Sequence, residues 1–106
     1  MPMFYKRKLG KITLFLEAYY LPYIEDEDDL EWLDEYIDDM PLDIALRLDI
    51  APIEGELVYL IEDIESYGVD NVGTTPGDLY LVVMGNRLLT LKSTWFERNF
   101  TPLGEE

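Results

Sequence analysis

A chain of 106 residues suits one domain with one modest core, and its 48% apolar and 13% aromatic content is enough to build it. Cysteine and histidine are both absent, which excludes disulfides, thiolate metal sites, thiol nucleophiles, the commonest general base and the physiological pH switch. The formal charge is −15, from 23 acids against 8 bases, and between Ile12 and Asn86 the only base is Arg47. Such a middle is expected to repel nucleic acid and anionic membrane and to attract a basic protein surface.

Met3 to Tyr20 reads as extended structure, because Ile12, Leu14 and Leu16 alternate with their neighbours and aromatic residues are frequent. Gly10 marks a turn or a bulge, and Pro22 ends the stretch. Asp28 to Met40 is the clearest helix. Leu30, Ile37, Leu33, Met40, Tyr36 and Trp32 fill about 160° of one side at the 3.6-residue period, and Glu31, Asp34, Glu35, Asp38 and Asp39 fill the rest. Asp26, Asp28 and Asp29 suit the positive end of the helix dipole and supply a cap, whereas Asp38 and Asp39 stand at the wrong end for it.

Pro41 either stops this helix or opens another. Leu42, Ala45, Leu46 and Leu48 fit a short helix ending before Pro52, while Ile44, Leu46, Leu48 and Ile50 fit a strand from Ile44 to Ile50; periodicity leaves both open. Glu56 to Ile64 reads as a strand, and Tyr67 to Pro76 as turns. Asp78 to Met84 and Arg87 to Lys92 read as a hairpin closed by Gly85-Asn86. Thr94 and Glu97 form a capping box for a short helix through Asn99, and Phe100 to Leu103 pairs or packs. The fold class is therefore α+β: one domain over residues 1–106, an antiparallel sheet of about four or five strands, one main amphipathic acidic helix and a short C-terminal helix.

Two stretches together resemble a family of small phage and prophage proteins. They are Phe4-Tyr5-Lys6-Arg7-Lys8 leading into a strand that ends Glu17-Ala18, and Thr75-Pro76-Gly77-Asp78 followed by a hairpin, Phe96-Glu97 and Phe100-Thr101-Pro102. They span roughly half the chain, and the resemblance implies a phage source but no activity. Residues 20–55 depart from the pattern, which makes them the place to look for a specialised role.

The run Glu25-Asp26-Glu27-Asp28-Asp29 invites a calcium reading, but an EF-hand loop needs a central glycine and a distant bidentate glutamate, and here the run leads straight into a helix. No metal or cofactor is expected. Carboxylates three and four apart on a helix lie about 5–6 Å from one another, a spacing close to that of phosphates along a nucleic-acid strand, so Asp28, Glu31, Asp34, Glu35, Asp38 and Asp39 can imitate a charged backbone. Tyr19, Tyr20, Tyr23 and Tyr36 stand near the acids, and tyrosines among acids make good protein anchors. Half of them are expected to face the core, since adjacent strand positions point opposite ways. No glycine-rich phosphate loop is present, and the catalytic inventory is thin.

These features lead to the expectation of a non-catalytic, phage-encoded inhibitor working in the host cytoplasm as a monomer or homodimer. It would bind a basic host protein, such as a nucleic-acid-handling enzyme or a CRISPR effector, and would contact neither nucleic acid nor membrane. The expected contact residues are Glu25, Asp26, Glu27, Asp28, Asp29, Glu31, Asp34, Glu35, Asp38, Asp39, Tyr20 and Tyr23. Two other readings stay open: a virion or assembly component, and a binder that sequesters a small molecule. A nucleotide would require Lys6, Lys8, Lys11, Arg87 or Arg98 to converge.

Overall fold

A computed structural model describes residues 4–62, 73–85 and 87–103. In chain order its elements are β1 (Phe4–Leu9), β2 (Ile12–Leu21), α1 (Leu30–Asp38), α2 (Leu42–Ala45), β3 (Leu48–Ile53), β4 (Glu56–Ile61), β5 (Thr74–Thr75), β6 (Leu79–Met84), β7 (Arg87–Lys92), α3 (Ser93–Asn99) and β8 (Thr101–Pro102). The fold is α+β, with antiparallel sheets of five and three strands. The chain divides into two compact units, residues 1–22 with 78–106, and residues 23–77.

The first unit holds the five-stranded sheet, in the order β7-β6-β2-β1-β8. The opening stretch is a hairpin, with Leu9 opposite Ile12 and Gly10 at φ 65° in the intervening turn. A glycine adopts that backbone without steric cost. β6 and β7 form the second hairpin, Met84 opposite Arg87; of its expected loop, Gly85 has φ 65° and Asn86 lies outside the described residues. The two hairpins join where β2 pairs with β6, from Glu17 opposite Val83 to Leu21 opposite Leu79.

One face of this sheet carries an aromatic core. Tyr5, Ala18, Tyr80, Val82, Phe96 and Phe100 are buried together, with Leu16, Tyr20, Leu89 and Leu91 packed around them. Phe96 stacks on Tyr80 with ring centres 4.2 Å apart and on Phe100 at 4.7 Å, and meets Tyr5 edge-on at 4.9 Å. Tyr5 and Ala18, near the start of the chain, thus meet Phe96 and Phe100, near its end, in one cluster. Burial drives the Tyr80 phenol well above its ordinary range, with the neighbouring Tyr5 and the Glu97 carboxylate adding to the effect.

The capping box expected at Thr94 and Glu97 does not form. α3 starts two residues earlier than that box requires, at Ser93, and Lys92 precedes it without a side-chain cap. Tertiary partners place the flanking side chains instead: Glu97 accepts from the Tyr80 hydroxyl at 3.1 Å, and the hydroxyl of Ser93, the first helical residue, donates to Asp78 Oδ1 at 2.8 Å.

The second unit holds the sheet β3-β4-β5 with α1 and α2. Both readings of residues 42–50 hold in part, since a four-residue helix ends at Ala45 and a strand starts at Leu48. β3 pairs with β4 from Leu48 opposite Ile61 to Ile53 opposite Glu56. Their loop, Glu54 at φ 51° and Gly55 at φ 85°, has both central residues left-handed, the requirement of a type I′ turn. Pro52 is tolerated because β3 is an edge strand. The strand expected to reach Ile64 ends at Ile61, with Glu62 in a turn. Ile64 and most of the turn region expected over Tyr67 to Pro76 lie outside the described residues.

Candidate functional site

The second unit contains one base, Arg47, against eighteen acids, whereas the first contains seven bases against five acids. Neutralisation within the second unit is impossible by count. Its helix begins as a 3-10 turn, Glu27–Asp29, that runs directly into α1. Asp26 caps this turn by accepting from the Asp28 amide at 2.9 Å, and Asp29 reaches back to the amides of Glu25 and Asp26 at 3.0 and 3.4 Å. Asp29 also accepts from the Trp32 indole N–H at 3.0 Å. That indole bond first, and the backbone amides second, hold the Asp29 carboxyl below its ordinary value.

On α1 the buried positions are Leu33 and Ile37, with Met40 just beyond the helix. At about 100° per residue these three lie within a sector of about 60°. Trp32, expected on the apolar side, lies about 100° from Leu33 by the same count, and it is 43% exposed. The apolar stripe is narrower than the sequence suggests, and Trp32 stands beside the acids rather than under them, its ring edge-on to Tyr36 at 6.3 Å. Glu31, Asp34, Glu35, Asp38 and Asp39 are all exposed and occupy one sector of about 140°. Glu25, Asp26, Glu27 and Asp28 are exposed just ahead of them, while Asp29 is half-buried.

The tyrosines separate. Tyr23 is 55% exposed and belongs to the acidic unit. Tyr19 is buried, its hydroxyl donating to Glu17, its neighbour on the same face of β2. Tyr20 belongs to the first unit and donates to Asp78 Oδ1 at 3.0 Å. Partial burial, then this bond and the charge of Asp78, raise the Tyr20 phenol above its ordinary value. The fold therefore gathers Tyr23 with the acids into one unit and assigns Tyr20 a structural bond elsewhere.

Within the acidic unit a concavity of about 530 Å³ lies between the stretch Tyr23–Glu27 and the end of the β3–β4 hairpin. Ile24, Pro52, Leu57 and Pro76 give it apolar walls, and Glu25, Asp26, Glu27 and Glu56 give it carboxylates. The hairpin contribution is absent from the expected site. Its sequence signal is Glu54-Gly55, a two-residue loop between alternating residues, and that signal is short beside the long acidic run. Among the described residues no group of three or more acids is placed to hold a metal ion, and no helix is long and apolar enough to cross a membrane. No family model, no curated protein and no solved structure matches the chain.

Proposed function

We propose that the protein is a phage-encoded, non-catalytic inhibitor that acts in the host cytoplasm by covering a basic, nucleic-acid-binding surface of a host protein. A nucleic-acid-processing enzyme or a defence complex such as a CRISPR effector is the target class. The observation that carries the reading is the exposed sector of Glu31, Asp34, Glu35, Asp38 and Asp39 in a unit with eighteen acids and one base. Like charges three and four positions apart weaken a free helix, and a cationic partner removes that penalty on docking. Exposed Tyr23 and Trp32 beside the acids supply the aromatic anchors that protein interfaces favour. The adjoining concavity, with apolar walls and carboxylates, suits the stem and head of a partner's lysine or arginine.

The triple variant Glu31→Lys, Glu35→Lys, Asp38→Lys tests this reading, because all three side chains are exposed. It should unfold at no lower a temperature than the parent, since it relieves like-charge repulsion, and should lose capture of host proteins from lysate; the partners captured by the parent should be basic and released as salt rises. If the triple variant still captures the same partner at the same salt, the acidic docking surface is wrong.

A further inference from the structure

β2 outruns its neighbour in the first sheet. It is ten residues long, yet it pairs with β6 only from Glu17 to Leu21. Past Met84 the chain turns back into β7, so residues 12–16 have β1 on one side and, among the described residues, no strand on the other. β8 in turn reaches only Tyr5 and Lys6 of β1. The end of the first hairpin is therefore a two-stranded ribbon, a structure that is marginal in water by itself. Leu9, Ile12 and Leu14 stand on the face that continues to Tyr5 and Leu16, and Phe15 stands on the other. All four are exposed, Ile12 at 69% and Phe15 at 61%. The Leu21 carbonyl, which accepts from the Asp78 amide at 2.7 Å, marks the side of β2 on which β6 lies. Alternation turns the amides and carbonyls of Thr13 and Phe15 to that same side, where β6 has already ended.

An open edge is a template for another strand, and proteins guard such edges with charge or proline. Past Lys6, β1 carries Arg7 and Lys8. β3, an edge strand of the other sheet, has Pro52, which lacks an N–H, and Asp49, whose Oδ1 accepts from the Ile50 amide at 2.8 Å. The β2 edge has no such guard, since Ile12-Thr13-Leu14-Phe15-Leu16 is uncharged and rich in strand-favouring residues. We propose that this edge pairs antiparallel with the same edge of a second copy of the chain, giving a twofold dimer. A twofold axis across the edge pairs the segment with itself, and no like charges then stand opposite each other. The antiparallel direction carries the hairpin tip of one copy, with Lys11, toward the Glu17 end of the other's segment, so the two ends are complementary in charge. Charge also selects this half of the chain for the contact. Residues 23–77 hold eighteen acids against one base and repel another copy, whereas the remainder holds five acids against seven bases. A contact of this size is small for a permanent interface, so the dimer is reversible. It does not rest on what the acidic unit binds.

Analytical ultracentrifugation of the intact protein at rising concentration tests the pairing, in sodium chloride of about 10 mM and of about 150 mM. A reversible monomer–dimer equilibrium with a dissociation constant below about 1 mM supports it. The constant should tighten at the higher salt, where the screening length falls from about 30 to about 8 Å and the repulsion between two acidic chains weakens. Docking on a basic partner responds to salt in the opposite direction. Amide hydrogen exchange at Thr13 and Phe15 should slow as the dimer forms, because the pairing covers those groups. The double variant Ile12→Lys, Phe15→Lys alters two exposed side chains. It should unfold like the parent and associate at least about tenfold more weakly, with like charges now set along the edge. A monomer over the whole range at both salts, a dimer that leaves exchange at Thr13 and Phe15 unchanged, or undiminished association of the variant overturns the proposal. Vesicles of phosphatidylserine and phosphatidylcholine test the other occupant of an apolar hairpin end. Co-sedimentation with them at concentrations too low for dimerisation assigns the ribbon to a lipid surface and overturns the second copy.

Discussion

Asp29 holds three donors at once, the amides of Glu25 and Asp26 and the Trp32 indole. Its folded-state value is lowered, so its contribution to stability is present above the unfolded aspartate value of about 3.9 and is lost as pH falls through the folded one. The Trp32 indole N–H resonance should therefore stay constant from neutral pH down to about 4 and move only in stronger acid. A midpoint above the ordinary aspartate value would contradict the cap geometry. Asp78 has a comparable role in the other unit. It sits at φ 59° and its Oδ1 accepts from both Ser93 and Tyr20. Asp78→Ala leaves the buried Ser93 hydroxyl without that acceptor, which costs about 1–3 kcal/mol, and alanine is poorer than aspartate in left-handed backbone. Asp78→Asn keeps an acceptor oxygen and should cost less, as equilibrium denaturation of the pair of variants will show.

Among the elements, α3 and the β3–β4 hairpin differ in how they are held. α3 is seven residues long, too short to persist by propensity alone, and it depends on Phe96, which is fully buried between Tyr80, Phe100 and Tyr5. Phe96→Ala should cost about 3–5 kcal/mol, a large part of the stability of a small domain, and should broaden the thermal transition seen by circular dichroism. The hairpin is set by its loop. Glu54 occupies a left-handed conformation that suits asparagine better, so Glu54→Asn should raise the melting temperature by a few degrees, consistent with a gain of up to about 1 kcal/mol. A lower melting temperature would mean that Glu54 has a role beyond the turn.

For the molecule as a whole, charge follows the division of the chain. Residues 23–77 carry one base and eighteen acids, a net of −17, and the remaining residues carry seven bases and five acids, a net of +2. The acidic unit is consequently stressed by its own field, and salt relieves the stress. Raising sodium chloride from low to physiological strength and above should raise the melting temperature; relief of about 1 kcal/mol corresponds to about 4–8 °C for a chain of this size. A melting temperature independent of salt would show that the carboxylates do not share one field.

The α+β class, the extended opening stretch, the strands of the β6–β7 hairpin with Gly85 in its turn, and the acidic helix with aspartates to cap it were legible in the residues, because alternation, the 3.6-residue period and turn glycines act over a few positions; that Gly10 closes a hairpin rather than a bulge, and that Asp26 is the cap, came with the structure. The exposed acidic sector of α1 belongs to the same local class of information. What the residues alone did not decide depends on partners far away in the chain. Trp32 turned outward because the buried stripe needed only Leu33, Ile37 and Met40. The Thr94 box gave way to the bond that Ser93 donates to Asp78 and the one that Tyr80 donates to Glu97. Sequence determined which charges the chain has and that its middle is acidic; only the tertiary pairing of β1 with β8 and the burial of Phe96 and Phe100 decided that the two ends of the chain would share one aromatic core. The reason is physical: contacts between residues some ninety positions apart are fixed by burial of the whole core, which no local pattern encodes.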